Sequence, residues 1–374
     1  MTIRDQGCVF LGEPGSDRAS ACFPGVCVLR DGRWLVAFRA APRKVDAHPQ
    51  RVLVTSSDDA GMTWTPAVEP FAPESVHGVS GAWRAGQPTA LGGRRVAMVL
   101  YWVDASGPAR PFFNRETEGL LDSRIFLALS EDSGVTWSRP RLLDTAPFTM
   151  PTPITGPILP LANGEWALQF ETNKAYHDTA PWRHQAVLMF SRDAGRSWPE
   201  HVAVASDPAG RVFYWDQRPA VVGDNLILDV FWTFDRATGE YRNIHARSSS
   251  DNGRTWGELW DTGVPGQPAP WVPLCDDRTC MVYVDRSGVP VIKARLSADG
   301  GRTWPDATEL VLAGQTRAGG HGPKSDLTGA WNTMEGYSLG LPVTARLGDG
   351  DVLVVYYAGA HPDHTGLHWV RLRL

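Results

Sequence analysis

One eight-residue pattern occurs five times in this chain of 374 residues. The pattern is Ser-x-Asp-x-Gly-x-Thr/Ser-Trp, and its copies are Ser57–Trp64, Ser130–Trp137, Ser191–Trp198, Ser249–Trp256 and Ser297–Trp304. The closing tryptophans are spaced by 73, 61, 58 and 48 residues. Self-similarity at such spacings is typical of stacked or radially repeated units, so a repeat architecture is predicted.

The repeated pattern has the chemistry of a hairpin turn. An Asp carboxylate accepts hydrogen bonds from the backbone N–H groups that follow it, and Gly allows the positive φ that closes the turn. The Ser and Thr hydroxyls can satisfy further turn groups, and the Trp supplies a large apolar surface for packing against a neighbouring hairpin. The acids of the pattern are therefore predicted to be structural rather than catalytic.

These copies resemble the Asp boxes of the sialidase superfamily, and the resemblance covers nearly the whole chain. It implies a six-bladed β-propeller. A second repeat supports this fold, because six segments each hold an apolar run opened by Pro, a polar or Gly turn, and a second apolar run. The turns are Asp31-Gly32, Gly92-Gly93, Asn163-Gly164, Gly223-Asp224, Asp276-Asp277 and Asp349-Gly350. Such dipeptides between apolar runs are strong hairpin signals.

The predicted fold is therefore an all-β, six-bladed β-propeller with four antiparallel strands per blade, in one domain of residues 1–374. The last blade would end with its third strand, Thr365–Leu374. The N-terminal segment around Cys8–Leu11 would supply the fourth strand and close the ring, which removes sheet edges. This strand order puts the Asp boxes on one face and the long loops on the other, where function is expected.

Composition and charge argue against several function classes. The net charge is −5 without a basic run, so neither a nucleic-acid partner nor a membrane surface is expected. No apolar stretch reaches the roughly 18 residues of a membrane span, and no signal peptide is visible, so a cytoplasmic location is expected. No metal-ligand spacing or cofactor motif occurs, so no metal and no cofactor are predicted. Cys275 and Cys280 could pair across a hairpin, but reduced thiols are the favoured expectation.

Polar and aromatic residues flank the predicted strands on the long-loop face. The segment Tyr214–Pro219 opens the inner strand of blade 4, and Trp83-Arg84 with Gln87 opens that of blade 2. Arg39 and Glu171 each follow the second strand of a blade. The predicted substrate-binding residues are Arg39, Arg84, Arg218, Gln87, Gln217, Trp83, Trp102 and Trp215. Their tryptophans would stack on sugar rings, with core packing as the alternative.

The resemblance also implies roles for single residues. In sialidases a catalytic Asp lies about a dozen residues before the first Asp box, and Asp46 lies 11 residues before Ser57. Asp46 is thus the implied acid/base, with Asp216 or Glu171 as a second acid or base. The family also uses three arginines to hold a substrate carboxylate, a pairing that suits the planar guanidinium, and a Tyr nucleophile with an acidic partner. Tyr337 is the candidate nucleophile.

The chain departs from the family pattern at two places. The first sialidase arginine lies in an Arg-Ile-Pro motif before the first blade, but here the run is Ala21-Cys22-Phe23-Pro24 and Cys22 stands in its place. The nucleophilic Tyr would fall at Leu341, whereas Tyr337 lies four residues earlier. The chain is therefore expected to be a divergent member of the superfamily.

The favoured function is a sialidase-like, exo-acting glycoside hydrolase that binds a terminal, acidic sugar at the ring axis. Its partner would be a small-molecule glycan or glycoside. One alternative is a lyase that cleaves uronates, because a lyase needs a Tyr or His base and a neutralised sugar carboxylate. The other alternative is a non-catalytic propeller that binds a glycan or a protein, since propellers host many unrelated functions.

Overall fold

Antiparallel strands dominate the computed structural model, which describes residues 1–45, 48–107, 109–149, 151–274, 278–314 and 326–374. Strands make up 49% and helices 3% of the chain. The fold is all-β and propeller-like, as predicted. Within these described segments, no helix is both long and apolar enough to cross a membrane.

The strands follow one another along the whole chain. Those of the first half are β1 (Thr2–Phe10), β2 (Ser20–Val28), β3 (Trp34–Ala41), β4 (Arg51–Ser57), β5 (Ser75–Val76), β6 (Val79–Ala90), β7 (Val96–Asp104), β8 (Ser123–Ser130), β9 (Arg141–Leu142), β10 (Leu159–Pro160), β11 (Trp166–Thr172) and β12 (Gln185–Ser191). Those of the second half are β13 (Glu200–Ser206), β14 (Val212–Trp215), β15 (Ala220–Val221), β16 (Ile227–Asp235), β17 (Glu240–Tyr241), β18 (Asn243–Ser249), β19 (Trp260–Pro265), β20 (Gln267–Pro268), β21 (Val272–Pro273), β22 (Thr279–Asp285), β23 (Val291–Ser297), β24 (Leu310–Gly314), β25 (Leu339–Arg346), β26 (Val352–His361) and β27 (His364–Arg373). A 3₁₀ turn spans Asp306–Thr308, and helix α1 spans Leu327–Glu335.

The described strands form five sheets rather than six separate ones. Four sheets are built from β5–β9, β10–β13, β14–β19 and β20–β24. The fifth has seven strands in the order β25-β26-β27-β2-β3-β4, with β1 beside β27. It is continuous because Ser20 pairs in parallel with Thr365 and joins the first strands of the chain to the last. The prediction of six separate four-stranded sheets is corrected accordingly.

The N-terminal strand lies along the C-terminal one. β1 pairs antiparallel with β27, with Thr2 opposite Arg373 and Phe10 opposite Leu367. The N-terminal segment therefore joins the sheet of the last strands, as the sequence predicted. This pairing covers an edge that would otherwise expose unpaired backbone groups.

The five Asp boxes share one turn geometry, which Ser191–Trp198 illustrates. The Ser191 hydroxyl accepts a hydrogen bond from the Gly195 N–H at 2.8 Å and donates one to the Asp193 carboxylate at 2.8 Å. That carboxylate also accepts from the backbone N–H and hydroxyl of Ser197, at 2.8 and 2.6 Å. Ala194 and Gly195 both have positive φ, 57° and 80°, which is why Gly occurs in the pattern. The acids of the boxes are bound within their own turns.

The apolar core lies between neighbouring sheets. One cluster joins Leu35 and Val54 of the seven-stranded sheet to Met98 and Phe126 of the next sheet. Trp198 closes its Asp box by donating its indole N–H to Gly195 and packs in the cluster between β5–β9 and β10–β13. The tryptophans of the boxes thus hold sheets together, as the sequence indicated.

The cysteines of the described segments are thiols. Cys8, Cys22, Cys27 and Cys280 are free, and burial raises the pKa of Cys280 to about 12. Cys275 lies outside the described residues. The expectation that Cys275 and Cys280 are reduced thiols therefore stays a prediction.

Removing one Asp-box hydroxyl should destabilise the fold measurably. Ser191 is buried, so Ser191→Ala leaves the Gly195 N–H without its acceptor and should lower the free energy of unfolding by about 1–3 kcal/mol. Urea denaturation measures the change, with the exposed Ser206→Ala as the matched control. Equal stability of the two variants would show that this hydroxyl does not support the turn.

Candidate functional site

A cavity of about 240 Å³, called here the central cavity, is lined by residues from all five sheets. The residues reach it through irregularities in their strands. Register shifts occur in β2 between Cys22 and Gly25, in β6 between Trp83 and Ala85, and in β25 between Gly340 and Val343. Phe23, Arg84 and Leu341, which lie at these shifts, all line the cavity. Such bulges redirect side chains, and here they direct them to one place.

Asp216 lies in a gap between β14 and β15, where its φ of 49° interrupts the strand. Its carboxylate accepts a hydrogen bond from the side-chain amide of Gln267 and lies 3.5 Å from the guanidinium of Arg218. Arg218 in turn donates to the backbone carbonyl of Thr155. The interrupted strand therefore presents an acid and a guanidinium to the cavity together.

Gln267 connects Asp216 to a second guanidinium. Arg286 donates to the Gln267 side-chain oxygen at 2.7 Å and to the carbonyl of Leu339 at 3.1 Å. The same guanidinium lies 3.9 Å from the centre of the Tyr337 ring. Burial raises the pKa of the Tyr337 phenol, and the positive charge of Arg286 opposes that rise. An acid, an amide, a guanidinium and a phenol thus form one connected row.

Glu171 and Glu335 also line the central cavity, and the surroundings of Glu171 differ from those of Asp216. The Glu171 side-chain carboxyl is buried, with one oxygen 3.4 Å from Nε2 of the buried His184. Its other oxygen, Oε1, has no hydrogen-bond partner among the described residues. Burial raises the pKa of Glu171, an effect that His184 partly offsets.

Four cationic side chains line the cavity: Lys44, Arg84, Arg218 and Arg286. Lys44 is buried and its ammonium donates to the carbonyls of Met334 and Tyr337, both at 2.7 Å. Burial lowers the pKa of Lys44 from 10.5 to about 7. The Arg84 guanidinium lies 3.8 Å from the centre of the Phe112 ring. Such a concentration of positive charge suits an anionic ligand.

Aromatic rings and a short helix complete the wall. Trp215 and Trp232 line the cavity and stack on Phe234 and Tyr241, with ring centres 5.0 and 4.4 Å apart. Helix α1 begins after Asp326, whose carboxylate accepts from the Gly329 N–H as an N-cap. Its Trp331 lines the cavity as well and stacks on Phe113 at 4.9 Å. The cavity therefore has apolar walls around its charged groups.

The structure brings together most of the residues proposed from sequence. Those among its lining are Arg84, Gln87, Glu171, Trp215, Asp216, Arg218 and Tyr337. Gln87 also donates its amide to the Pro24 carbonyl at 3.3 Å. Asp46 lies outside the described residues.

Four of the proposed binding residues lie elsewhere. Trp83 and Trp102 are fully buried in the core cluster between sheets, where they donate to the carbonyls of Ala72 and Glu74. The prediction that these two stack on sugar rings is therefore wrong. The bulge in β6 explains it, because it separates Trp83 from Arg84 at the register shift.

Gln217 and Arg39 are also corrected. Gln217 is fully buried, and its amide donates to the carbonyls of Phe170 and Val187, so it ties β14–β19 to β10–β13. Arg39 is fully buried and donates to Gln50 at 2.7 Å and to the Lys44 carbonyl at 2.9 Å. It supports the loop that carries Lys44 instead of lining the cavity.

Sequence reasoning missed Lys44, Gln267, Trp232 and Trp331, and gave Arg286 no specific role. Arg286 carried a signal, because it directly follows the apolar strand β22. Lys44 stands only two residues before Asp46. Nothing in the sequence around Gln267 indicates that its side chain joins Asp216 to Arg286.

Solved structures with the same fold include several sialidases. A protein of unknown function from Dyadobacter fermentans is 20% identical, with a TM-score of 0.73 and coverage of 100% of this chain and 99% of that chain. The Hadza microbial sialidase Hz136 is 16% identical, with a TM-score of 0.66 and coverage of 96% and 66%. The intramolecular trans-sialidase from Ruminococcus gnavus is 12% identical, with a TM-score of 0.64 and coverage of 98% and 97%. At these identities the likeness shows the fold.

The family assignment comes from the sequence. No curated protein matches the chain. The profile of the BNR repeat-like domain family, however, matches residues 89–312, which hold four of the five Asp boxes. The chain therefore belongs to this family, within the sialidase/BNR-repeat β-propeller superfamily.

Proposed function

We propose that this protein is a sialidase-like glycoside hydrolase that binds a terminal, acidic sugar in the central cavity. One observation carries the proposal: four cationic side chains, three carboxyl groups (Glu171, Asp216 and Glu335) and the phenol of Tyr337 line one cavity with apolar walls. Guanidinium groups bind carboxylates well, and aromatic walls suit the apolar faces of a sugar ring. The ligand would be a single sugar unit with a carboxylate.

The connected row gives each group a role. Arg218 and Arg286 would hold the sugar carboxylate, since both are fixed by hydrogen bonds to the protein. Tyr337 would act as nucleophile, and the positive charge of Arg286 over its ring would oppose the rise in phenol pKa that burial causes. Asp216 lies at the other end of the row and would serve as the second acid or base. Asp46 would be the acid/base, as the superfamily resemblance implies.

We further propose that residues 1–374 form one domain, a ring of six blades. In this interpretation the seven-stranded sheet comprises two blades, β25-β26-β27-β1 and β2-β3-β4. The two are joined by the single Ser20–Thr365 pairing, whereas each is held internally by long antiparallel ladders.

An activity screen of the purified protein tests the function. The panel holds chromogenic glycosides of sialic acid, uronic acids, arabinose, rhamnose and fucose, together with absorbance of unsaturated uronates. We expect release of one acidic sugar, and its loss in both Tyr337→Phe and Asp46→Ala with folding intact. The exposed Glu258→Gln is the control and should behave as the unmodified protein does.

The other outcomes favour the alternatives. Unsaturated-uronate absorbance without hydrolysis would replace the hydrolase by a lyase. No turnover across the panel, together with retained binding of sugar acids by all variants, would contradict catalysis and leave a glycan-binding propeller.

A further inference from the structure

We infer that a second cavity, next to the central one, binds a neutral sugar unit that is joined to the acidic sugar. This inference rests on the proposed function and names the kind of ligand, an oligosaccharide with an acidic end rather than a simple glycoside. The second cavity has a volume of about 380 Å³, within the roughly 300–1,000 Å³ of small-molecule sites. Its described lining comes from the end of β7, the start of β8 and the loops that follow β7, β9 and β11.

The two cavities share a wall. Leu120 lines both of them, and its N–H donates to the Lys174 carbonyl at 2.8 Å, which ties the loop after β7 to the loop after β11. Along three loops the lining changes from the central to the second cavity within two residues, from Phe112 to Arg110, from Pro153 to Pro151 and from Asn173 to Ala175. Two residues of chain span at most about 7 Å. A second sugar unit joined to the first would therefore lie at this wall.

Two carboxylates lie side by side in the second cavity. Asp104 and Asp122 are opposite each other at the end of the β7–β8 ladder, where the Asp104 N–H donates to the Asp122 carbonyl at 2.9 Å. Like charges in such positions destabilise a sheet. Each carboxylate is balanced by a guanidinium, with Arg110 2.7 Å from Asp104 and Arg124 3.1 Å from Asp122. All four side chains are partly exposed, so a ligand can reach the two ion pairs.

The chemistry of this surface suits the hydroxyl groups of a neutral sugar. A hydroxyl both donates and accepts, so it can bind a guanidinium and a carboxylate at once. With His177 neutral, Asp178 brings the lining to three carboxylates against two guanidinium groups, and this excess of negative charge disfavours a second anionic unit. Tyr176 lines the cavity as well and supplies an aromatic ring for the apolar face of a sugar. The acidic unit would instead occupy the central cavity, where the four cationic side chains lie.

The affinity for a longer ligand tests the second cavity. The probes are N-acetylneuraminic acid and glucuronic acid, each as its methyl glycoside and linked to lactose. They are titrated by calorimetry into Tyr337→Phe protein, so that no ligand is cleaved. We expect one lactose-linked acid to bind about tenfold more tightly than its methyl glycoside, the gain from one hydrogen bond to a charged group. Asp122→Ala in the same background should remove this gain and leave the affinity for the methyl glycoside unchanged.

A second variant and two controls accompany Asp122→Ala. Arg124→Ala should have the same selective effect, because it removes the guanidinium that pairs with Asp122. Asp224→Ala and Arg196→Ala remove the same types of side chain from exposed positions outside both linings. Both controls should keep the tenfold gain.

Several results would overturn the inference. One is equal affinity for the two forms of each acid in Tyr337→Phe protein, and another is a gain that survives both Asp122→Ala and Arg124→Ala. A loss of the same size for the methyl glycoside and the lactose-linked acid would also overturn it, since the effect would then lie in the central cavity. If the unmodified protein neither binds nor cleaves a sugar acid in any form, the proposed function itself fails, and the inference falls with it. Turnover in the activity screen together with equal affinities overturns only the inference.

Discussion

Arg286→Ala should weaken the binding of sugar acids by about 2–5 kcal/mol, or roughly 30- to several thousand-fold, the usual cost of truncating a buried, hydrogen-bonded charge. The guanidinium reaches Gln267, Leu339 and the ring of Tyr337. Its loss removes a positive charge from the cavity and also frees the amide that holds Asp216. Catalysis should fall at least as steeply, because Tyr337 loses its cationic neighbour.

Calorimetric titration with N-acetylneuraminic acid and glucuronic acid measures this effect. Arg286→Lys keeps the charge but loses the planar fork, so its affinity should lie between those of Arg286→Ala and the unmodified protein. The exposed Arg196→Ala serves as the charge-matched control. Equal affinity of Arg286→Ala and Arg196→Ala would contradict the role of the cavity guanidinium groups in ligand binding.

Lys44→Met should change how the stability of the protein depends on pH. Burial is the main cause that lowers the Lys44 pKa from 10.5 to about 7. The unfolded chain therefore binds a proton that the folded protein releases between these pH values, and the free energy of unfolding rises with pH in that window. The full difference is on the order of 5 kcal/mol at 1.36 kcal/mol per pKa unit.

We expect the unmodified protein to gain about 2 kcal/mol relative to Lys44→Met between pH 7 and pH 9. Urea denaturation of both proteins at each pH measures this difference, and all groups that they share cancel. Lys293→Met provides the comparison. The pKa of Lys293 is raised by Asp285 and Glu309, so removal of this side chain should leave the pH dependence of stability between pH 7 and pH 9 unchanged. Parallel profiles for the unmodified protein and Lys44→Met would show that Lys44 stays charged when buried.

Most of the architecture was readable from the sequence because it rests on local chemistry. Each Asp box forms its turn from its own Ser, Asp, Gly and Thr, so the pattern predicts the turn without knowledge of distant residues. The N-terminal strand was also predictable, since the last repeat lacks a fourth strand. The merging of the first and last strands into one sheet was not, because it depends on one pairing between Ser20 and Thr365.

The candidate site was only partly predictable. Asp216, Arg218 and Glu171 were identified because each borders a strand on the long-loop face, and all three line the central cavity. Trp83 was assigned wrongly for a physical reason. Side chains alternate between the two faces of a strand only as long as the pairing register continues, and the register of β6 with β7 shifts between Trp83 and Ala85.

The sequence by itself determined the repeat, the turn chemistry and the family, all of which depend on residues close together in the chain. Only the tertiary structure decided which residues meet. Gln267 joins Asp216 to Arg286 across 51 and 19 residues of sequence, and Lys44 reaches Tyr337 across 293. The physical reason is that bulges, strand gaps and buried hydrogen bonds direct these side chains, and their effect depends on neighbouring sheets that the local sequence does not specify.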